Sequence, residues 1–181
     1  MAGRLIGVVG PSGVGKDTVM TGLAARRAGL GLVRRVITRP HDAGGEIYDA
    51  VSVAEFDRMR DAGAFALHWR AHGLCYGIPR AVERDLAAGA DRLVNLSRAV
   101  LIAAQDRFPG FATLHLTAPR PVLARRLAAR GRETSAQIED RLVRSEFALP
   151  GGLSHVIEIA NDGPLDRTLD AIEARLYPVK A

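Results

Sequence analysis

Apolar residues fall along this chain in two alternating patterns: short continuous runs, and longer stretches in which they recur every three or four positions. A short apolar run between turn residues predicts a buried strand, whereas the recurring pattern predicts a helix with one face against a core. The runs predict strands at residues 5–9, 32–37, 93–96, 112–116 and 156–160, with further short strands around Gly73 within residues 65–76. The recurring pattern predicts helices at residues 16–28, 52–62, 79–88, 98–108, 121–130, 134–147 and 165–177.

Local start signals support three of these helices. Ser52 and Thr134 each stand three residues before a glutamate or a glutamine. At that spacing the hydroxyl bonds the third helical N–H while the longer side chain reaches back. Pro121 suits a first helical turn, where no amide hydrogen is needed. Strands that alternate with helices in this order predict an α/β fold, a parallel sheet flanked by helices with right-handed crossovers.

The length and composition fit one ordinary globular domain, residues 1–181. The chain is 48% hydrophobic and 25% charged, which excludes a disordered, fibrous or disulfide-rich protein. The single cysteine, Cys75, cannot form an internal disulfide. The first apolar run is too short for a signal peptide or a membrane span. We therefore expect a cytoplasmic protein with no membrane partner.

Almost all of the basic residues are arginines. Only Lys16 and Lys180 are lysines among 25 basic residues, and the net charge is +5. Because the planar donor group of arginine matches phosphate, this charge permits either a nucleic acid or a small phosphorylated ligand. With only 5% aromatic residues to stack on bases, and with scattered charges, we expect no nucleic-acid partner.

A glycine-rich loop follows the first predicted strand and opens the first predicted helix. In this context glycines let backbone N–H groups converge on a phosphate, and the lysine reaches the terminal phosphates of a nucleotide. The predicted phosphate-binding residues are Gly10, Pro11, Ser12, Gly13, Val14, Gly15, Lys16, Asp17 and Thr18. The alternative is a glycine-rich turn that binds nothing.

The residue after the loop lysine departs from the common pattern. Asp17 stands where a Ser or Thr usually holds Mg²⁺, and Thr18 follows it. A carboxylate is a competent oxygen ligand for Mg²⁺, so we predict a metal held by Asp17 and Thr18. Alternatively, Asp17 only stabilises the positive helix start, and Thr18 or solvent completes the coordination.

The remaining segments narrow the class of phosphate-loop protein. The strand that would carry the aspartate typical of switch GTPases and motor ATPases ends in Asn95 instead. Arginines outnumber acids in residues 118–144, where Arg126 and Arg130 share one helical face before Gly131. We predict that this segment closes as a lid whose arginines neutralise a transferring phosphoryl group and exclude water. A solvated face with ion pairs is the alternative.

Jointly and in order, these motifs resemble the guanylate-kinase-like P-loop kinases over nearly the whole chain. The matching stretches are residues 10–16, 38–40, 48 with 51–52, 72–77, 126–131 and 161–162. Residues 15–17, 67–77, 93–99 and 130–133 are closer to one branch of that family, which acts on ribose 1,5-bisphosphate in phosphonate breakdown. The resemblance implies a P-loop kinase fold with core regions at 1–37 and 78–118, an acceptor-binding insert at 38–77, an arginine-rich lid region at 119–147 and a C-terminal core at 148–181.

The chain departs from guanylate kinases where those enzymes recognise guanine. Their acidic side chains accept hydrogen bonds from the base, whereas the matching positions here hold Arg70, Asn95 and Ser97. A tyrosine of their phosphate pocket is likewise replaced by Cys75. Arginine has donors and no acceptor, so it cannot read a guanine edge, but it binds phosphate well. We therefore expect a small phosphorylated sugar as the acceptor, with guanylate kinase as the alternative.

The resemblance thus implies ATP- and Mg²⁺-dependent phosphorylation of ribose 1,5-bisphosphate to 5-phospho-α-D-ribose 1-diphosphate. A phosphate group with a second pKa of about 6 is ionised at neutral pH, so we expect no general base. The residues implied in catalysis are Lys16, Arg126, Arg130 and Arg141. Those implied in acceptor binding are Arg39, Tyr48, Arg70, His72, Tyr76, Asn95, Ser97 and Arg98.

Two other classes of function stay open at this point. Some guanylate-kinase-like domains are catalytically inactive modules that bind partner peptides, although the intact Lys16 loop argues against that class. A nucleic-acid binder is the second. The expected oligomeric state is a monomer or a homodimer.

Overall fold

The computed structural model describes residues 2–40, 46–129, 131, 134–145 and 148–178, without the side chains of residues 141, 144 and 145. Its strands are β1 (Leu5–Val9), β2 (Leu30–Leu32), β3 (Val36–Ile37), β4 (Asp49–Ala50), β5 (Phe65–Ala71), β6 (Leu74–Pro79), β7 (Asp91–Asn95), β8 (Ala112–Thr117) and β9 (Val156–Ala160). Its helices are α1 (Lys16–Arg26), α2 (Val53–Asp61), α3 (Ala81–Ala87), α4 (Leu101–Arg107), α5 (Arg120–Ala129), α6 (Ser135–Ser145) and α7 (Leu165–Leu176). Within these ranges, every helix is too short or too polar to cross a bilayer.

The larger sheet has five parallel strands in the order β2-β7-β1-β8-β9, which confirms the predicted α/β class. The central strand, β1, is buried on both faces. Ile6 and Val8 pack with residues of α1, α5 and α7 on one face. Leu5 and Val9 pack on the other face with residues of α3, α4 and the smaller sheet. An uninterrupted apolar run is therefore what this position requires.

The structure shows the N-cap bond expected at Ser52 and both bonds of the capping box expected at Thr134. The Glu55 backbone N–H donates to Ser52 Oγ at 3.1 Å at the start of α2. Before α6, the Thr134 backbone N–H donates to Gln137 Oε1 at 2.8 Å, and the Gln137 N–H donates to Thr134 Oγ1 at 3.4 Å. These bonds satisfy amide hydrogens that no helical carbonyl can reach, and so set where each helix begins.

The smaller sheet has four strands in the order β4-β3-β6-β5. Strands β5 and β6 form an antiparallel hairpin in which Ala71 pairs with Leu74. The two residues between them, His72 and Gly73, have φ values of 52° and 75°. Two successive positive φ angles are those of a type I′ turn, whose twist matches that of the flanking strands.

The single strand predicted at residues 32–37 is wrong. Leu30–Leu32 belongs to the larger sheet as β2, and Val36–Ile37 belongs to the smaller sheet as β3. The Val33 N–H still bonds to the Leu93 carbonyl of the larger sheet, while the Arg35 carbonyl already accepts from Asp49 N–H in the smaller one. The chain passes from the larger sheet to the smaller sheet at Arg34 and Arg35. The residues predicted to form one strand therefore pair in two different sheets.

The end of the last helix is tied to the first strand by a charged cluster. Asp91 accepts hydrogen bonds from the Arg4 backbone N–H at 2.6 Å, from Arg4 Nη2 at 3.0 Å and from the Tyr177 hydroxyl at 2.7 Å. Burial alone would raise the pKa of Asp91, but these hydrogen bonds outweigh it and lower that pKa below 3.8. Burial, with the hydrogen bond to Asp91, raises the pKa of Tyr177 from 10.0 to about 12. The cluster joins β1, β7 and the end of α7.

Tyr177→Phe should lower the free energy of unfolding at pH 7 by about 1 kcal/mol, because it removes one hydrogen bond to a charged, half-buried carboxylate. The raised pKa of Tyr177 means that its contribution is complete below pH 10.0 and is lost as the pH rises towards 12. In urea titrations the difference between wild type and Tyr177→Phe should therefore shrink over that interval. Asp106→Asn, a change at an exposed carboxylate of α4, is the control. A difference that stays constant from pH 9 to about 12 would contradict the linkage.

Candidate active site

A cleft of about 530 Å³ opens where β1 and β7 end. The carboxyl edge of a parallel sheet is where ligands bind in open α/β folds. The described residues that line the cleft are Val9, Gly10, Pro11, Ser12, Lys16, Arg35, Arg39, His72, Leu74, Tyr76, Asn95, Leu96, Ser97 and Arg98. The cleft thus brings the glycine-rich loop and most of the predicted acceptor-binding residues into one space.

The glycine-rich loop turns from β1 into α1 with its lysine folded across it. Gly13 and Gly15 have φ values of 84° and 90°, which side-chain-bearing residues rarely adopt. Lys16 Nζ donates to the carbonyl oxygens of Gly10 at 2.9 Å and Pro11 at 3.2 Å. The ammonium group and the start of α1 therefore supply positive charge at one end of the cleft, as phosphate binding requires.

The loop is held from its buried side by Asn161. Asn161 Nδ2 donates to the Val14 carbonyl oxygen at 2.7 Å, and Asn161 Oδ1 accepts from the Thr168 hydroxyl at 2.8 Å. Asn161 is 6% exposed, so water cannot easily replace either bond. Gly15 leaves the room that this side chain needs, since an added Cβ would lie 3.0 Å from Asn161 Nδ2. The connection from β9 to α7 thus fixes the conformation of the loop.

The arginines expected to act in catalysis are only partly described. Arg126 Nη1 donates to the Asn161 carbonyl oxygen at 2.8 Å and lies 3.4 Å from that of Val14. Arg126 therefore braces the same loop, and it is not among the residues that line the cleft. Arg130 and the side chain of Arg141 lie outside the described residues. A catalytic role for these three arginines stays a prediction.

The predicted metal ligands lie in the first turn of α1. Asp17 is half-buried and Thr18 is exposed, and neither lines the cleft. Across the described ranges no group of three or more His, Cys, Asp or Glu side chains is placed to hold a metal ion. Mg²⁺ commonly binds through one or two protein carboxylates together with nucleotide phosphates and water, so the position of Asp17 is compatible with the prediction.

The side of the cleft that is predicted to bind the acceptor carries a half-buried arginine, Arg39. The guanidinium carbon of Arg39 lies 4.4 Å from the centre of the Tyr48 ring, and Tyr48 itself donates to the Pro40 carbonyl oxygen. Arg39 Nε and Nη2 are buried and have no hydrogen-bond partner among the residues that the structure describes. Two buried donor nitrogens without an acceptor cost free energy, and an anion such as phosphate would satisfy both.

The end of β7 and the residues just after it line the cleft. Asn95 pairs with Val8 at the carboxyl end of the sheet, and Ser97 and Arg98 come next along the chain. Ser97 Oγ accepts a hydrogen bond from Trp69 Nε1 at 2.9 Å. Trp69 in turn stacks on Tyr76, with ring centres 5.2 Å apart. The hydroxyl hydrogen of Ser97 is therefore left to donate to another group.

Arg70 does not reach the cleft. Successive residues of a strand face opposite ways, so Trp69 faces the cleft side of β5 and Arg70 faces away from it. The Arg70 side chain is 71% exposed and lies 3.9 Å from Asp57 of α2. His72, at the tip of the hairpin, does line the cleft.

One charged lining residue, Arg35, was missed by the sequence analysis. The motifs pointed to Arg39, whereas Arg35 lies where the chain passes from β2 to β3. No local pattern marks that position, because residues 32–37 were assigned to one strand. Val9, Leu74 and Leu96 are the apolar lining residues that were also missed.

The lining is strongly positive. Lys16, Arg35, Arg39 and Arg98 line the cleft, and no aspartate or glutamate is among its described lining residues. In a partly enclosed space of one sign, electrostatic potential is focused and anionic ligands are attracted. The cleft is therefore suited to a ligand set that carries several phosphates.

The chain is similar to known proteins in sequence. A model of the AAA domain family matches residues 6–145. A ribose 1,5-bisphosphate phosphokinase of Ruegeria sp. (strain TM1040) is 51% identical over 179 residues, which cover 99% of this chain and 94% of that protein. A ribose 1,5-bisphosphate phosphokinase of Pseudomonas fluorescens (strain SBW25) is 47% identical over 178 residues, which cover 95% of this chain and 94% of that protein.

The fold is also similar to a solved structure. A guanylate kinase from Anaplasma phagocytophilum superimposes with a TM-score of 0.65 at 19% sequence identity, covering 97% of this chain and 85% of that chain. At that identity the likeness concerns the fold alone.

Asn161→Asp should weaken ADP binding about tenfold, because a carboxylate cannot donate to the Val14 carbonyl and the loop loses its support. Calorimetric titration with ADP is the measurement. Thr168→Val, which keeps the side-chain shape and removes only the bond to Asn161 Oδ1, should have a smaller effect in the same direction. Equal affinities for wild type and Asn161→Asp would show that the loop holds its conformation without Asn161.

Proposed function

Because the chain belongs to the ribose 1,5-bisphosphate phosphokinase family, we propose that it transfers the γ-phosphoryl group of ATP to ribose 1,5-bisphosphate. An oxygen of the anomeric phosphate forms a new bond to the γ-phosphorus, and the bond from that phosphorus to the β,γ-bridging oxygen breaks. The products are ADP and 5-phospho-α-D-ribose 1-diphosphate. The family expected from the sequence is confirmed by relatives that match almost the whole chain.

The observation that carries this proposal is the charge of the cleft. Its four described cations extend from Lys16 on the nucleotide loop to Arg35 and Arg39 at the smaller sheet. ATP and a sugar bisphosphate together bring five phosphate groups, whose charges must be neutralised for the reactants to approach one another. The absence of carboxylates among the described lining residues removes a source of repulsion.

Guanylate kinase is the weaker candidate for the same cleft. The N–H groups of a guanine base need hydrogen-bond acceptors, and arginine offers none. Ser97 Oγ already accepts from Trp69, which leaves it better placed to donate than to accept. The phosphate of GMP would find cations here, but no carboxylate is among the described lining residues to accept from its base.

Catalysis in this proposal is positioning and charge neutralisation. The attacking phosphate, with a second pKa of about 6, is already ionised at neutral pH, so no side chain needs to remove a proton. Lys16 binds the nucleotide phosphates, while Arg39, His72, Tyr76, Asn95, Ser97 and Arg98 contact the acceptor. Arg126, Arg130 and Arg141 remain the proposed arginines for the transferring group. Tyr48 acts through Arg39, whose guanidinium it covers.

The donor set near the loop fits a Mg²⁺ ion bound together with ATP. Asp17 supplies a carboxylate oxygen and Thr18 a hydroxyl oxygen, and both are hard ligands of the type that Mg²⁺ prefers. When bound, the ion neutralises charge on the β- and γ-phosphates. Cytoplasmic location and a monomeric or homodimeric state also remain predictions.

A coupled assay for ADP release should show turnover with ribose 1,5-bisphosphate and little with GMP, and mass spectrometry should identify the diphosphate product. Lys16→Ala should lower kcat/KM by about 10²–10³, since it removes a cation from the reacting phosphates. Lys180→Ala, at the only other lysine, is the matched control. Preference for GMP would reject the substrate. An activity unchanged by Lys16→Ala would instead support a non-catalytic binding module.

A further inference from the structure

Arg35 lines the cleft, yet it belongs to none of the motifs that indicated the site. Building on the proposed function, we propose that Arg35 is a specificity-determining residue that binds a phosphate group of the sugar acceptor. Glu46 is the positioning residue that aims it. Three independent features of the Arg35 side chain support this role: its hydrogen bonds, its contacts with aromatic rings, and its place relative to Arg39.

The first feature is a hydrogen-bonded pair that uses only one edge of the guanidinium. Arg35 Nε donates to Glu46 Oε1 at 2.8 Å, and Arg35 Nη2 donates to Glu46 Oε2. Among the described residues, Arg35 Nη1 has no hydrogen-bond partner. A guanidinium carries five N–H donors in one plane, so a second anion can bind its remaining edge while Glu46 keeps the first.

The second feature is the contact with two aromatic rings. The guanidinium carbon of Arg35 lies 5.1 Å from the ring centre of Tyr76 and 5.9 Å from that of Trp69. The side chain is only 7% exposed, so its plane is fixed by Glu46 and by these rings rather than by solvent. A donor that is already oriented loses less conformational entropy when it binds a ligand.

The third feature is that Arg39 lines the same cleft. Arg35 immediately precedes β3 and Arg39 stands two residues after it, and both are lining residues. Two buried donor nitrogens of Arg39, Nε and Nη2, lack a hydrogen-bond partner within the described part of the chain. Arg35 and Arg39 therefore both offer N–H donors to the cleft from the side of the smaller sheet.

The same arrangement discriminates against a base. Glu46 is the acidic residue that pairs with Arg35, and each of its carboxylate oxygens accepts a hydrogen bond from that arginine. Glu46 is not among the described residues that line the cleft, while Arg35, which does line it, offers only donors. The pairing with Glu46 accordingly holds the guanidinium of Arg35 in place, with N–H donors left for an anionic group.

The test compares Arg35→Lys with Arg34→Lys. Arg34 is the adjacent arginine, is exposed, pairs with Asp49 at 2.7 Å and does not line the cleft. Arg35→Lys keeps the charge but loses the planar second edge, so the KM for ribose 1,5-bisphosphate should rise about tenfold while the KM for ATP changes less than about twofold. Arg34→Lys should leave both values unchanged. Glu46→Gln, which leaves Arg35 charged but less firmly held, should raise the acceptor KM by a smaller factor.

Binding measured without nucleotide separates this inference from the proposed function. Titration of each variant with ribose 1,5-bisphosphate alone should show about tenfold weaker affinity for Arg35→Lys than for Arg34→Lys. If wild type and Arg34→Lys fail to phosphorylate the sugar, the proposed function fails, and this titration still decides the role of Arg35. Equal affinities for the two variants would overturn the inference. A parallel rise in both KM values, with a lower melting temperature, would show that Arg35 is structural and would also overturn it.

Discussion

Phosphate binding by this protein depends on how the backbone carbonyl group of Val14, in the glycine-rich loop, is held. A glycine-rich loop can bind phosphates with its amides only while it keeps one conformation, and glycines do not enforce that conformation themselves. Here the Val14 carbonyl oxygen is fixed by Asn161 at 2.7 Å, and Asn161 is fixed by Thr168 of α7 at 2.8 Å. Because this network is buried, its bonds are stronger than they would be in water. The nucleotide end of the cleft is thus set by the C-terminal part of the fold.

The part of the cleft next to the smaller sheet holds several cations close together. Like charges in a partly enclosed cleft repel each other, and each buried cation has lost part of its hydration. The smaller sheet offsets these costs locally: Glu46 bonds Arg35, and the Tyr48 ring covers Arg39. Trp69 and Tyr76 add two aromatic faces beside Arg35. In the proposed function, specificity for phosphate over a base would therefore depend on the side chains around the arginines as much as on the arginines themselves.

The sequence predicted those features that local patterns determine. Strands 5–9 and 156–160 match because each is one short apolar run, and the helix starts at Ser52 and Thr134 match because their bonds join residues three apart. The division of residues 32–37 and the existence of the two-residue strand β4 depend on partners far along the chain, which no local pattern contains. Arg70 was assigned to the acceptor site although its place in β5, next to Trp69, turns it away from the cleft. Arg35 was overlooked because it lies where the chain passes between the two sheets, just before β3.

The pairing of β1 also bears on how the chain folds as it is synthesised. Leu5 pairs with Arg92 and Ile6 with Ala112, so the strand that leads into the nucleotide loop is made long before its neighbours emerge from the ribosome. Such long-range pairing slows folding, because loop-closure entropy is lost before the contacts form. The loop-bearing apolar strand thus stays exposed through most of translation. We therefore expect truncated chains to aggregate and the growing chain to need chaperones.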